Sequence, residues 1–112
     1  MEMTVDLLSD DITRVNLVGR LDILGAQTID LKFSAICGSR RKIIIDLSNV
    51  SFLASMGMRT ILIGAKAVGA NGGKIALLMP TPAVEEVLTI ANINTIIPLL
   101  HDLDTAIGVV SG

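Results

Sequence analysis

The chain has 112 residues, of which 51% are hydrophobic, with a mean hydropathy of +0.69 and a formal net charge of -2. A domain of this size buries roughly 65% of the surface its unfolded chain exposes, and the apolar content excludes a disordered segment. The longest basic run is Arg40, Arg41 and Lys42, and Phe33 and Phe52 are the only aromatics. Such a sequence offers neither the charge footprint nor the stacking platform that nucleic acid requires. Cys37 is the single cysteine and His101 the single histidine, which excludes an intramolecular disulfide and any zinc site built on cysteine pairs. The N-terminus is acidic and alternating, unlike a secretory signal, and no window approaches the ~18 apolar residues of a membrane span. The expected class is one cytoplasmic domain, residues 1–112, with no membrane, no nucleic acid and no cofactor.

Met3, Val5 and Leu7 alternate, Asp10-Asp11 offers turn chemistry, and Thr13, Val15, Leu17 and Gly19 return with period two. This pattern predicts an opening β-hairpin. From Leu24 to Ile36 the apolar spacing lengthens, with Ile29, Phe33 and Ile36 on one face, predicting a helix that ends near Gly38. Ile43 to Leu47 and Ile75 to Met79 are almost wholly apolar, as strands covered on both faces are. Between them Met58, Ile61, Leu62, Ala65 and Val68 share a helical face that Gly69, Gly72 and Gly73 close. Strand, helix and strand in this order form a βαβ crossover. Thr81 and Pro82 suit the cap and first position of a further helix, whose apolar stripe is Val84, Val87, Leu88 and Ala91. A short strand near Thr95 to Ile97 and a helix from Asp102 to Val110 complete the chain. The expected fold is α/β: a mixed, mostly parallel sheet packed by about four α-helices.

The segment Ser48 to Met58 leaves a buried strand and enters a helix, the position where open α/β sheets place their ligands. Ser55 stands at the expected N-cap, so its hydroxyl is either a cap or a modifiable group at the end of the helix. Phe52, Leu53, Met56 and Met58 surround it with apolar side chains, which suits a partner surface. Positions 56, 59, 60 and 63 share one helical stripe, so Met56, Arg59 and Ile63 would extend that surface. Enzymatic readings lack their parts. Ser55 has no nearby base and no Gly-x-Ser-x-Gly elbow, the glycines after residue 68 stand in the wrong order for a phosphate loop, and no small-molecule substrate is implied. Asp46 resembles the phosphoacceptor of a response-regulator receiver domain. The opening hairpin and the absence of any lysine after Lys74 oppose that reading.

Ile45 through Met58 resembles the strand and phosphorylation loop of the STAS domain of bacterial anti-sigma factor antagonists. Val18-Gly19-Arg20-Leu21-Asp22 is similar to that family's Gly-x-Leu-Asp turn, and Gly72 to Leu77 and Pro80 to Leu88 follow its later strand and helix. The resemblance implies that an anti-sigma factor serine kinase phosphorylates Ser55 and that the unphosphorylated form binds this kinase. A PP2C-type phosphatase would reset the switch, and the antagonist itself would perform no catalysis. It further implies a partner surface comprising Asp22, Ala54, Ser55, Met56, Gly57, Arg59 and Ile63. Two positions depart from the pattern: Ala54 replaces a common aspartate, and Met56 a common second serine or threonine. Two functions stay open on this basis: a phosphorylation-controlled antagonist, or a STAS interaction subunit of a larger signalling or lipid-transport complex that carries no phosphate.

Overall fold

The computed structural model describes all 112 residues, Asp10 by its backbone alone. Strand β1 (Glu2–Leu7) pairs antiparallel with β2 (Thr13–Leu21) across a 3-10 turn at Ser9–Asp11. Helix α1 (Ile23–Ser39) follows, then β3 (Lys42–Leu53), α2 (Ser55–Ala70), β4 (Lys74–Leu78) and α3 (Pro82–Ile90). A 3-10 turn at Ile93–Thr95, the two-residue strand β5 (Leu99–Leu100) and helix α4 (Leu103–Ser111) end the chain. The sheet has the order β1-β2-β3-β4-β5, with every pair after the first parallel.

Period-two alternation divides the core between the two faces of this sheet. On one face Val15, Leu17, Ile43, Ile45, Leu47 and Leu77 meet Ile29, Phe33 and Cys37 of α1, Ile61 and Val68 of α2, and Val84 and Leu88 of α3. On the other, Ile12, Ile44, Ala76 and Leu78 meet Ala106 and Val110 of α4. The isoleucine run of β3 is therefore apolar throughout because helices cover both of its faces. Helices α1 and α2 cross closely: a Cβ on Gly64 would stand 2.9 Å from Cys37 Sγ and 3.0 Å from Phe33 Cζ.

Four details differ from the sequence expectations. Strand β3 continues to Leu53 instead of ending near Leu47, because Val18 to Leu21 of β2 offer it a parallel partner beyond that point. The segment expected as a strand at 95–97 instead ends the 3-10 turn Ile93–Thr95 and continues as a turn, and the strand lies after Pro98, where Pro98 and Leu100 accept from Leu77 and Met79. Ala91 is the exposed C-cap of α3 and not part of its buried stripe. Leu7 is exposed beyond the hairpin's packed positions, while Met3 and Val5 are half-buried. Thr81 caps α3 as expected, accepting from the Val84 N–H, with Pro82 following it.

Candidate partner-binding site at the junction of strand three and helix two

Leu21 and Leu53 are register partners at the ends of β2 and β3. From each, one residue leads into a helix: Asp22 into α1 and Ala54 into α2. The Ala54 N–H donates to the Leu21 carbonyl at 3.0 Å, and the Ala54 carbonyl accepts from Met58 at 3.0 Å, closing the first turn of α2. Ala54, extended at φ -105° and ψ 172°, is thus the N-cap. Ser55 is the first helical residue and exposed, which corrects its expected capping role. The cause is the extra length of β3, which brings the strand to Leu53 and leaves one residue for the cap. The Ala54 side chain makes no cap, so the first-turn N–H groups of α2, which have no intrahelical acceptor, gain none from the N-cap side chain either.

Gly57 lies against β2. A Cβ there would overlap the Leu21 carbonyl oxygen and stand 2.6 Å from Leu21 Cγ and 2.9 Å from Leu53 Cδ1. Its part in the site is to seat the helix, and the backbone approach leaves Ser55 and Met56 at the surface. Past this turn, Met56, Arg59, Thr60 and Ile63 face Ala26, Gln27 and Asp30 of α1 across a hollow of about 300 Å³. Thr60 is buried in that wall and donates to the Met56 carbonyl at 3.1 Å. Met56 is 38% exposed and Ile63 54%, so the stripe expected at 56, 59, 60 and 63 is present with Thr60 at its base.

Asp22 caps α1. Its Oδ1 accepts from the Gly25 N–H at 2.8 Å. That hydrogen bond holds its carboxyl below the usual range against a smaller opposing effect of desolvation, and the Arg20 charge adds to the lowering. Arg20 Nε lies 3.5 Å from Asp22 Oδ2, and its guanidinium stands 4.3 Å from the centre of the Phe52 ring. Arg20 and Phe52 are cross-strand partners, and Phe52 precedes Ser55 by three residues. The first turn of α1 adds exposed Ile23 and Leu24 to this end of the molecule. The rim therefore carries apolar side chains, two arginines, the Asp22 carboxylate and the Ser55 hydroxyl.

Asp46 lies elsewhere. It is buried within β3, paired with Arg14 Nη2 and bonded by Ser48 Oγ at 2.7 Å and the Ser48 N–H at 2.9 Å. A structural ion pair in mid-strand is not an exposed phosphoacceptor at a strand end. His101 is exposed with Nε2 2.8 Å from Glu85 Oε1, while neighbouring Asp102 caps α4 through the Thr105 N–H at 2.9 Å. Among the described residues no helix is long and apolar enough to cross a membrane.

The STAS domain family model matches residues 7–106. The chain belongs to the STAS domain family. It is 25% identical over 107 residues to BtrV of Bordetella bronchiseptica, a protein provisionally named an anti-sigma factor antagonist. That match covers 95% of this chain and 91% of that protein. The solved anti-sigma factor antagonist from Mycobacterium paratuberculosis shares the fold with a TM-score of 0.88 and 24% identity, covering 99% of this chain and 94% of that one. The unphosphorylated form of the anti-sigma factor antagonist SpoIIAA aligns with a TM-score of 0.74 and 23% identity over 99% of each chain. The phosphorylated form of SpoIIAA, a Bacillus cell fate determinant, aligns with a TM-score of 0.73 and 21% identity over 93% of this chain and 94% of that one.

Within this STAS domain the residues singled out in sequence, Asp22, Ala54, Ser55, Met56, Gly57, Arg59 and Ile63, lie along one end of the sheet and the adjoining faces of α1 and α2. Reasoning from sequence did not assign a role to Arg20 or to the first turn of α1. The signal for Arg20 was present: it lies inside the Gly19-to-Asp22 turn, two residues before the cap. Only the register of β2 against β3 shows that it reaches Phe52.

Proposed function

We propose that this STAS protein is an anti-sigma factor antagonist that works by partner switching in the cytoplasm. Its unphosphorylated form binds an anti-sigma factor serine kinase through the rim around Ser55. The kinase transfers a phosphoryl group from ATP to Ser55 Oγ, the hydroxyl proton leaves, and ADP departs with the kinase. A PP2C-type phosphatase hydrolyses the phosphoserine with water and restores the binding form. No cofactor belongs to the antagonist in this scheme, and it performs no catalysis.

The observation that carries the reading is the position of Ser55: exposed, first in a helix whose N-cap makes no side-chain cap, and followed by exposed Met56, with exposed Ile63 two turns further along α2. A phosphate brings a charge of about -1.5 to -2, and free N–H groups in a first helical turn favour an anion beside them. The domain need not refold to carry it. Against a partner that supplies no matching cation, burying the dianion costs desolvation, and so the complex dissociates. Both SpoIIAA forms share this fold with the chain, which supports a switch made by charge at a fixed surface.

Intact-mass and phosphopeptide analysis of protein from its native cells, with Ser55→Ala in parallel, tests the scheme. A fraction about 80 Da heavier that maps to Ser55 and vanishes in the variant is the expected result. In calorimetry with the kinase, Ser55→Ala binds as the unmodified protein does, and Ser55→Asp binds at least about tenfold more weakly, ~1.4 kcal/mol. If no growth condition yields phosphate at Ser55, the domain serves instead as a constitutive STAS interaction subunit.

A further inference from the structure

We infer that Arg20 is the internal receptor for a phosphoryl group on Ser55, exchanging its contact with Asp22 for the phosphate. This rests on the proposal that Ser55 carries phosphate. Two contacts place the Arg20 side chain at the junction, and the residue after it ties β2 to α2. Its guanidinium covers the ring of Phe52, at 4.3 Å, on the same segment that leads to Ser55. Its Nε reaches Asp22 Oδ2 only at 3.5 Å, longer than a charge-assisted hydrogen bond. The next residue, Leu21, accepts the Ala54 N–H and lies against Gly57, so the first turn of α2 sits directly on the end of β2.

Arginine suits this task because its flat guanidinium can keep an aromatic stack while its edge donates to an anion in a fixed fork. Asp22 already has a better partner in the Gly25 N–H, at 2.8 Å. Its loose contact with Arg20 is the weaker competitor against a dianion with three acceptor oxygens. Arg59 on α2 and Asp30 on α1 line the groove beside the junction, and the Met1 nitrogen lies beside Gly19, next to Arg20. Arg59, one turn beyond Ser55, is the rival cation, since residues four apart on a helix are neighbours. The stacked position of Arg20 favours it because its side chain is already ordered before the phosphate arrives. The consequence is that phosphorylation both adds charge to the rim and withdraws Arg20 from any partner.

The test installs phosphoserine at position 55 during translation, so no kinase is needed and the outcome does not depend on whether cells phosphorylate the site. ³¹P NMR then follows the second phosphate ionisation, ordinarily near pH ~6, in the folded protein. Arg20→Ala is expected to raise it by about half a unit, roughly threefold tighter proton binding, and Arg20→Lys to recover part of the shift. The Gly25 amide resonance reports whether the Asp22 cap survives the substitution, which separates a local charge effect from damage to α1. An unchanged ionisation in Arg20→Ala overturns the assignment. So does a shift found in Arg59→Ala and absent from Arg20→Ala, which would place the phosphate along α2.

Discussion

The junctions β2–α1 and β3–α2 match position by position and end differently. Leu21, Asp22, Ile23, Leu24 and Gly25 correspond to Leu53, Ala54, Ser55, Met56 and Gly57. In each, a leucine closes the strand, the next residue is the cap, and a glycine three positions on lets the helix touch backbone: Gly25 against the Arg20 carbonyl, Gly57 against that of Leu21. At the first junction a carboxylate completes the helix end through the Gly25 N–H. At the second an alanine leaves it open beside a serine hydroxyl. One helix end carries its own anion, and the other has none of its own; under the proposed switch phosphorylation of Ser55 supplies it. A built-in charge is structural, whereas an added charge can be removed.

The glycines carry the largest expected effect. Gly25→Ala and Gly57→Ala each push a methyl group into a backbone carbonyl, which cannot rotate away as a side chain would. Each should cost about 2–3 kcal/mol in urea unfolding. Equal losses would show that both helices are seated by the same close approach. A neutral Gly57→Ala would break the correspondence between the junctions.

A second prediction concerns the clamp below them. Arg14 of β2 and Asp46 of β3 join the two strands that carry the junctions. Burial alone pushes the Asp46 carboxyl up, but hydrogen bonds from the Ser48 hydroxyl, Arg14 and the Ser48 N–H outweigh it and hold it below 3.8. A folded value under the unfolded one stabilises above the unfolded pKa, and that stability is lost as pH falls through the folded value. Stability should therefore decline below pH ~4. Asp46→Asn should flatten this acid limb while costing about 1–2 kcal/mol at neutral pH, because Arg14 loses its counter-charge. Urea midpoints at neutral and acid pH check both parts.

The smallest effect sharpens the comparison most directly. Ala54→Asp gives α2 the cap that Asp22 gives α1 and should stabilise the domain by about 0.5–1 kcal/mol in thermal unfolding. A stability gain that fails to appear would mean that the uncapped end of α2 is already satisfied by water.

Much of this site was legible in sequence because its elements are periodic. The alternation of β1 and β2, the apolar runs of β3 and β4, and the Thr81-Pro82 start of α3 depend on local spacing, and the structure keeps them. Met56, Arg59 and Ile63 on one stripe follow from helical geometry alone. The end of β3 did not follow from spacing, since Ser48, Asn49 and Ser51 read as loop residues and become strand only because β2 runs beside them. That six-residue extension moved the cap from Ser55 to Ala54.

Composition and pattern by themselves determined an α/β domain with an opening hairpin, a buried parallel centre and a serine at the entry to the second helix. Such features rest on periodicity, which each segment carries within itself. Tertiary structure alone decided that Ser55 is exposed and uncapping, that Arg20 lies over Phe52, and that the two helix ends meet at Leu21. These depend on the register between strands distant in sequence, and register is set by the joint burial of both strands and not by either one alone.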